Sequence, residues 1–158
     1  MIIAIDTNVL LDILIPNSVH VQGSLKCLTS FDRTAKLTIC EVVCAELGSQ
    51  FKVLPELTNF LKDTGIQVVS SNAHSLFEAS CSWKKYAARK KTTCICPVCG
   101  KHQQSMCTSC KNPLSYRQHI ISDFLIGAHA KMQAEKLVTR DRGFYRHYFK
   151  DLEIISPV

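Results

Sequence analysis

Four acidic residues and two pairs of cysteines are the parts of this chain whose type and spacing could do chemistry. Asp6 ends the apolar run Ile2-Ile3-Ala4-Ile5, and Asp141 follows a second short apolar stretch in LVTRDRGF. Glu46 lies in EVVCAELG and Asp123 in SDFLIGAHA, both segments with helical spacing of their apolar residues. Carboxylates gathered in one cleft repel each other, so each is hard to ionise unless a cation neutralises the set. Oxygen donors without Cys or His suit Mg²⁺ or Mn²⁺. Such an ion can activate water and stabilise the charge of an in-line phosphoryl displacement. The cysteines ask for a different metal. Cys96-Pro-Val-Cys99 and Cys107-Thr-Ser-Cys110 are two C-x2-C turns, and two such turns complete a tetrahedral four-thiolate Zn²⁺ site. Filled by four protein ligands, that site is structural rather than catalytic. The stretch around it is too short for a core of its own, so metal binding is expected to drive its folding.

The elements that must position these groups follow from the apolar pattern. Ile2 to Ile5 has no alternation, as in a parallel strand buried on both faces. Asp6, Thr7 and Asn8 then precede Val9, Leu10, Leu11, Ile13 and Leu14, which predicts strand, sharp turn, helix. Asp6 as a mere helix cap is the competing reading, although Thr7 or Asn8 could fill that place. Further strands are expected at Lys36–Cys40, Ile66–Val69 and Lys136–Thr139, with an edge strand at Glu153–Ile155. Helices are expected around Val19–Phe31, Glu41–Phe51, Pro55–Gly65, Ala73–Lys90 and Arg117–Glu135. This alternation predicts an α/β fold, a three-layer α/β/α arrangement around a parallel sheet. In such a sheet Asp6 and Asp141 open onto the same carboxyl edge, and Glu46 and Asp123 can reach it. The composition breaks at about Thr92 and recovers at about Arg117. Residues 1–91 and 117–158 therefore read as one α/β domain interrupted by a zinc-ribbon insert at 92–116.

A chain of 158 residues with 46% hydrophobic and 20% charged residues fits one globular domain. The apolar start is interrupted by Asp6 and Asp12 and stops at Pro16, so neither a signal peptide nor a membrane span is expected. A cytoplasmic location follows as the expectation, in which the nine cysteines serve as thiols or metal ligands rather than disulfides. The net charge of +6 is unevenly spread. Between Glu78 and Asp123 there is no acid, while Lys84, Lys85, Arg89, Lys90, Lys91, Lys101, Lys111 and Arg117 all lie there. A basic segment on a near-neutral body suggests a polyanion partner, most simply nucleic acid.

Taken together, IDTNVLLD, the AELG glutamate, SDFLIGAHA and LVTRDRGF resemble PIN-domain ribonucleases, particularly the VapC-like toxins. The resemblance implies a Mg²⁺- or Mn²⁺-dependent endoribonuclease with Asp6, Glu46, Asp123 and Asp141 as its acidic cluster. It implies Asn8 near the metal and Thr139 orienting the site. From the charge pattern itself, RNA is expected to be held by Lys90, Lys91, Lys101, Lys111 and Arg117 of the basic segment and by Arg142 beside Asp141. An antitoxin protein and a homodimer are the further partners it suggests. The compact toxins lack a zinc ribbon. Ribbons accompany PIN nucleases that process ribosomal RNA, so RNA maturation is an alternative role. The rival from another class is a non-catalytic module that binds nucleic acid or protein through the ribbon. Against it stands the complete acidic set, which an idle site has no reason to keep. Glu41 competes with Glu46 for the second acid but is expected to face the helix macrodipole. Asp12, Asp32 and Asp63 are expected at the surface or as caps, and Arg140, like Arg142, could hold phosphates. Arg146 and His147 read as ordinary surface, and Trp83 and Tyr86 as core. Cys94 and His102 are placed outside the zinc site, while Cys27, Cys40, Cys44 and Cys81 read as small buried hydrophobes.

Overall fold

The computed structural model describes residues 1–15, 19–31, 35–88, 93–95, 101–104, 106–112 and 120–157, with 93–95 and 102–104 by their backbone. In chain order the elements begin with β1 (Ile2–Ile5), α1 (Thr7–Leu14), α2 (Val21–Thr29), β2 (Lys36–Ile39) and α3 (Glu41–Gly48). They continue with α4 (Leu54–Thr64), β3 (Gln67–Val68), α5 (Ala73–Ala87), β4 (Thr93–Ile95) and β5 (His102–Gln104). The last are α6 (Ile121–Gln133), β6 (Lys136–Val138), α7 (Arg142–Tyr148) and β7 (Glu153–Ile155).

Five strands form one sheet in the order β3-β2-β1-β6-β7, every neighbour parallel. β1 is central, with Ile3 opposite Leu37 on one side and Lys136 on the other. Ile3, Ala4 and Ile5 are all buried, although alternate residues of a strand face opposite ways. Both faces of the sheet are therefore covered, which is why β1 reads as an unbroken apolar run. This is the α/β architecture expected from the alternating pattern.

Local chemistry sets the helix limits. Pro55 opens α4, and Gly65 closes it at φ +68, a left-handed turn that a side chain resists. Asn72 caps α5 by accepting from the Ser75 amide at 2.9 Å. α5 and α6 pack as a pair, tied by Lys131–Glu78 at 2.8 Å and by Ser75 Oγ donating to Gln133 Oε1 at 2.7 Å. Trp83 and Tyr86 of α5 meet Phe124 of α6 at ring distances of 5.4 and 5.5 Å, and Phe144 and Tyr148 of α7 complete the cluster at 4.9 and 5.0 Å from Phe124. Phe124 follows Asp123, so this aromatic lock also seats the acid.

Three expectations need adjustment. α3 ends at Gly48 rather than running on to Phe51. α7 was not expected, yet Phe144, Tyr145, Tyr148 and Phe149 repeat at helical spacing and are turned inward. β4 and β5 form a separate antiparallel hairpin, with Cys94 opposite Gln103, inside the interval assigned to the insert. The expected starts and ends at Lys90 and Arg117 lie outside the described residues, as do Lys91, Cys96, Cys99 and Asp32.

Candidate active site

The site grows from the end of β1. The chain joins β2 on one side of this strand and β6 on the other, so the strand order turns at β1, and in open α/β sheets ligands bind outside the carboxyl ends at such a point. Asp6 sits at that point, its amide donating to Val138 O at 3.0 Å. It occupies the capping position of α1 but makes no side-chain capping bond. Instead its Oδ2 accepts from Asn8 Nδ2 and from Thr139 Oγ1, each at 2.6 Å. Only 5% of Asp6 is exposed. Burial raises its pKa to about 6, against the lowering effect of the Thr139 hydroxyl, the Thr7 amide and the Tyr145 phenol, and the Asp123 charge pushes it up further.

The other groups arrive from distant parts of the chain. Thr139, fully buried at the end of β6, also accepts from the Asp141 amide at 3.0 Å, so one hydroxyl ties two acidic residues to one strand end. Asp141 caps α7, its Oδ1 accepting from the Phe144 amide at 3.1 Å. Asp123 stands in the first turn of α6, where its Oδ2 accepts from the Ile120 amide at 3.1 Å. Glu46 accepts a hydrogen bond from Thr7 Oγ1, which joins α3 to the start of α1. Tyr145, 2% exposed, was missed at the sequence level. Its phenol pKa lies well above the ordinary value because of burial first and then the charges of Asp6, Asp123 and Asp141. One buried hydroxyl thus feels all three aspartates, and its place in the inward stripe of α7 was the signal that could have found it.

Glu41 points elsewhere. It accepts from the Ser71 amide at 2.9 Å and from Ser71 Oγ at 3.1 Å, while Ser71 Oγ also lies 3.3 Å from Nδ1 of the buried His129. That carboxylate holds the turn between β3 and α5. Among the described residues no three His, Cys, Asp or Glu side chains converge as a ready-made metal cage. The donor chemistry nevertheless fits a hard cation, because Mg²⁺ needs only one or two carboxylates and keeps several waters. A buried carboxylate whose proton is retained partly by a neighbouring negative charge is also the kind of group a cation relieves.

Two solved structures resemble the chain along nearly its whole length. VapBC2 from Rickettsia felis, bound to a DNA fragment from its promoter, matches with a TM-score of 0.62 at 18% identity, over 99% of this chain and 98% of that one. FitAB bound to the IR36 DNA fragment matches with a TM-score of 0.58 at 14% identity, over 98% and 94%. The fold is PIN-type and VapC-like. No family model and no curated protein matches the sequence. At these identities the likeness is one of fold, and chemistry has to be argued from the site.

On this PIN-type frame two residues differ from expectation. Asp12 is 3% exposed rather than at the surface, and Arg140 pairs with it at 2.9 Å rather than standing free for a phosphate. α1 turns Asp12 inward beside α2, where Ser24 Oγ donates to it at 2.6 Å. Arg142, which follows Asp141 in the chain, is exposed, and so are Lys101 and Lys111. Among the described residues, no helix is long and apolar enough to cross a membrane.

Of the four zinc-ligand candidates, Cys107 and Cys110 are described, and they sit in one tight turn. The Lys111 amide donates to Cys107 O and the Cys107 amide to Asn112 O, each at 2.9 Å, with Lys111 at φ 59. The amides of Cys110 and Ser109 hold the Cys107 thiol below its ordinary pKa, and Asn112 Nδ2 lies 3.5 Å from Cys110 Sγ. Donors turned toward sulfur favour the thiolate, the form that binds metal. Cys40 is buried, and Cys27, Cys44 and Cys81 are half-buried thiols.

Proposed function

We propose that this chain is a divalent-metal-dependent endoribonuclease that cuts RNA phosphodiester bonds at the carboxyl end of β1. The observation that carries the reading is Asp6. It is a carboxylate buried at the carboxyl end of the central strand, without a capping bond and within electrostatic reach of Asp123. Buried like charges cost stability, so their retention at such a place favours a function. Asp6, Asp123 and Asp141 would hold Mg²⁺ or Mn²⁺ directly or through water, with Glu46 completing the set. When bound, the ion would supply charge neutralisation and an activated water.

The chain's own residues do the rest. Asn8, Thr139 and Tyr145 orient the Asp6 carboxylate, and Thr7 holds Glu46 beside the start of α1. Lys101, Lys111 and Arg142, with Lys90, Lys91 and Arg117, would meet RNA phosphates and set the position of the strand. Cys96, Cys99, Cys107 and Cys110 would hold a structural Zn²⁺. An antitoxin protein is the partner that the VapC-like fold supports best. The test incubates the zinc-loaded protein with total cellular RNA and Mg²⁺ or Mn²⁺, then maps the new ends. Discrete ends that vanish with EDTA and with Asp6→Asn support the reading. Bound but uncut RNA under every metal condition would replace it with the non-catalytic module.

A further inference from the structure

The geometry points to Arg140 as a positioning residue: its ion pair with buried Asp12 clamps the loop after β6 so that Asn8 presents its amide to Asp6. This rests on the nuclease reading of the site and extends it to two residues outside the acidic set. The Asn8 amide has one acceptor oxygen and one donor nitrogen. Arg140's backbone N–H donates to Asn8 Oδ1 at 3.2 Å, which leaves Nδ2 facing Asp6 Oδ2 at 2.6 Å and Thr139 Oγ1 at 3.2 Å. The orientation of Asn8 is therefore decided by where the Arg140 backbone lies.

That backbone is held by its own side chain. Arg140 Nη2 reaches Asp12 Oδ1 at 2.9 Å and the Asn8 carbonyl at 3.4 Å, so one guanidinium edge spans α1 from Asn8 to Asp12. Asp12 is in turn fixed by Ser24 of α2. The clamp ends on both sides of Arg140 in site residues, Thr139 bonded to Asp6 and Asp141 bonded to Thr139. A guanidinium committed to a buried carboxylate is poorly placed to serve as a phosphate contact. Its planar fork, however, can bridge two acceptors, which a lysine ammonium does less well.

The experiment uses the full chain with its zinc and compares wild type, Arg140→Lys, and the double variant Asp12→Leu/Arg140→Met. The double variant leaves no buried charge unpaired, so it should remain folded, and its melting temperature checks this. Three readouts are taken: the NMR signals of the Asn8 side-chain amide, Mn²⁺ affinity by electron paramagnetic resonance, and binding and cleavage of a labelled single-stranded RNA of mixed sequence. In both variants the Asn8 amide signals should move toward solvent-exposed positions and Mn²⁺ binding should weaken. Turnover should fall about 10- to 100-fold, the scale of a small misplacement at a reacting centre, while RNA affinity in EDTA stays within about twofold because no phosphate contact is lost. A loss of RNA affinity with unmoved Asn8 signals would make Arg140 a phosphate contact and overturn the clamp. Unchanged signals, Mn²⁺ affinity and turnover in the folded double variant would reduce the pair to a structural one and overturn it equally. If wild type leaves RNA intact, the nuclease reading falls, and the Asn8 signals and Mn²⁺ affinity still decide the clamp.

Discussion

The two metal-suited regions of this molecule are built in opposite ways. The Cys107–Cys110 turn is local: its donors come from Ser109, Cys110 and Asn112, all within a few residues of the sulfur they face. The Asp6 site is assembled across the fold, with Thr139 lying 133 positions away in the chain. The local turn is exposed and takes its geometry from the backbone. The distributed site is buried at Asp6, Thr139 and Tyr145 and draws its other acids from α3, α6 and the start of α7, so it depends on those helices being seated correctly around β1. A local site can fail without the fold, whereas the distributed site reports on the fold itself.

The largest expected break in this comparison is Asp6→Asn. Cleavage should fall at least ~100-fold, the scale on which one key electrostatic contact acts. Stability should move the other way. The folded pKa of Asp6 is raised from 3.8 to about 6, so between those pH values the native state binds more protons than the unfolded chain. Wild-type stability without added Mg²⁺ or Mn²⁺ should therefore decline as pH rises from about 4 to about 6, by ~3 kcal/mol at most. Asp6→Asn should lack that decline, which urea unfolding across this pH range will read.

Next in size is Gly127→Ala, one helical turn beyond Asp123 on α6. A Cβ there would lie 2.3 Å from the fully buried Phe149 ring, so α6 or the ring must shift. We expect a loss of ~1–3 kcal/mol in thermal or urea unfolding, with activity falling as α6 carries Asp123 outward. Full activity at reduced stability would separate α6 seating from the site. Reversing Lys101 and Lys111 to Glu should weaken RNA affinity about tenfold at low salt and flatten its salt dependence, since counterion release is lost. Cleavage of a short saturating RNA should be preserved. The smallest effect on the main sheet belongs to Cys110→Ser. It should abolish the proposed zinc binding, read by elemental analysis against wild type, yet change unfolding of the five-stranded sheet by less than ~0.5 kcal/mol, as expected of a surface position. Global unfolding of that variant would show that the local turn is as integral as the distributed site.

Much of the fold was legible before any coordinates. The all-apolar β1 and the Pro55 and Gly65 that bound α4 are local signals whose physics does not depend on distant partners. Asp6 and Asp141 could be placed on one edge because a parallel sheet aligns its carboxyl ends. The inward stripe of α7 marks Tyr145 as buried, but the three aspartates that give it importance approach it only through the fold. Asp12 misleads for the same reason: a charged residue reads as exposed until the partner that lets it be buried, here Arg140, is known.

The sequence by itself determined the parallel α/β plan, the acids at the ends of β1 and β6, and the Cys107–Cys110 turn, since each is written in neighbouring residues. Only the tertiary structure decided how Asp6 is used. It set the carboxylate on Asn8 and Thr139 without a capping bond to α1, buried it until its pKa rose, and paired Arg140 with Asp12. Burial and pairing are properties of what surrounds a group, and for Asp6 those surroundings come from β6 and α7 at the far end of the chain.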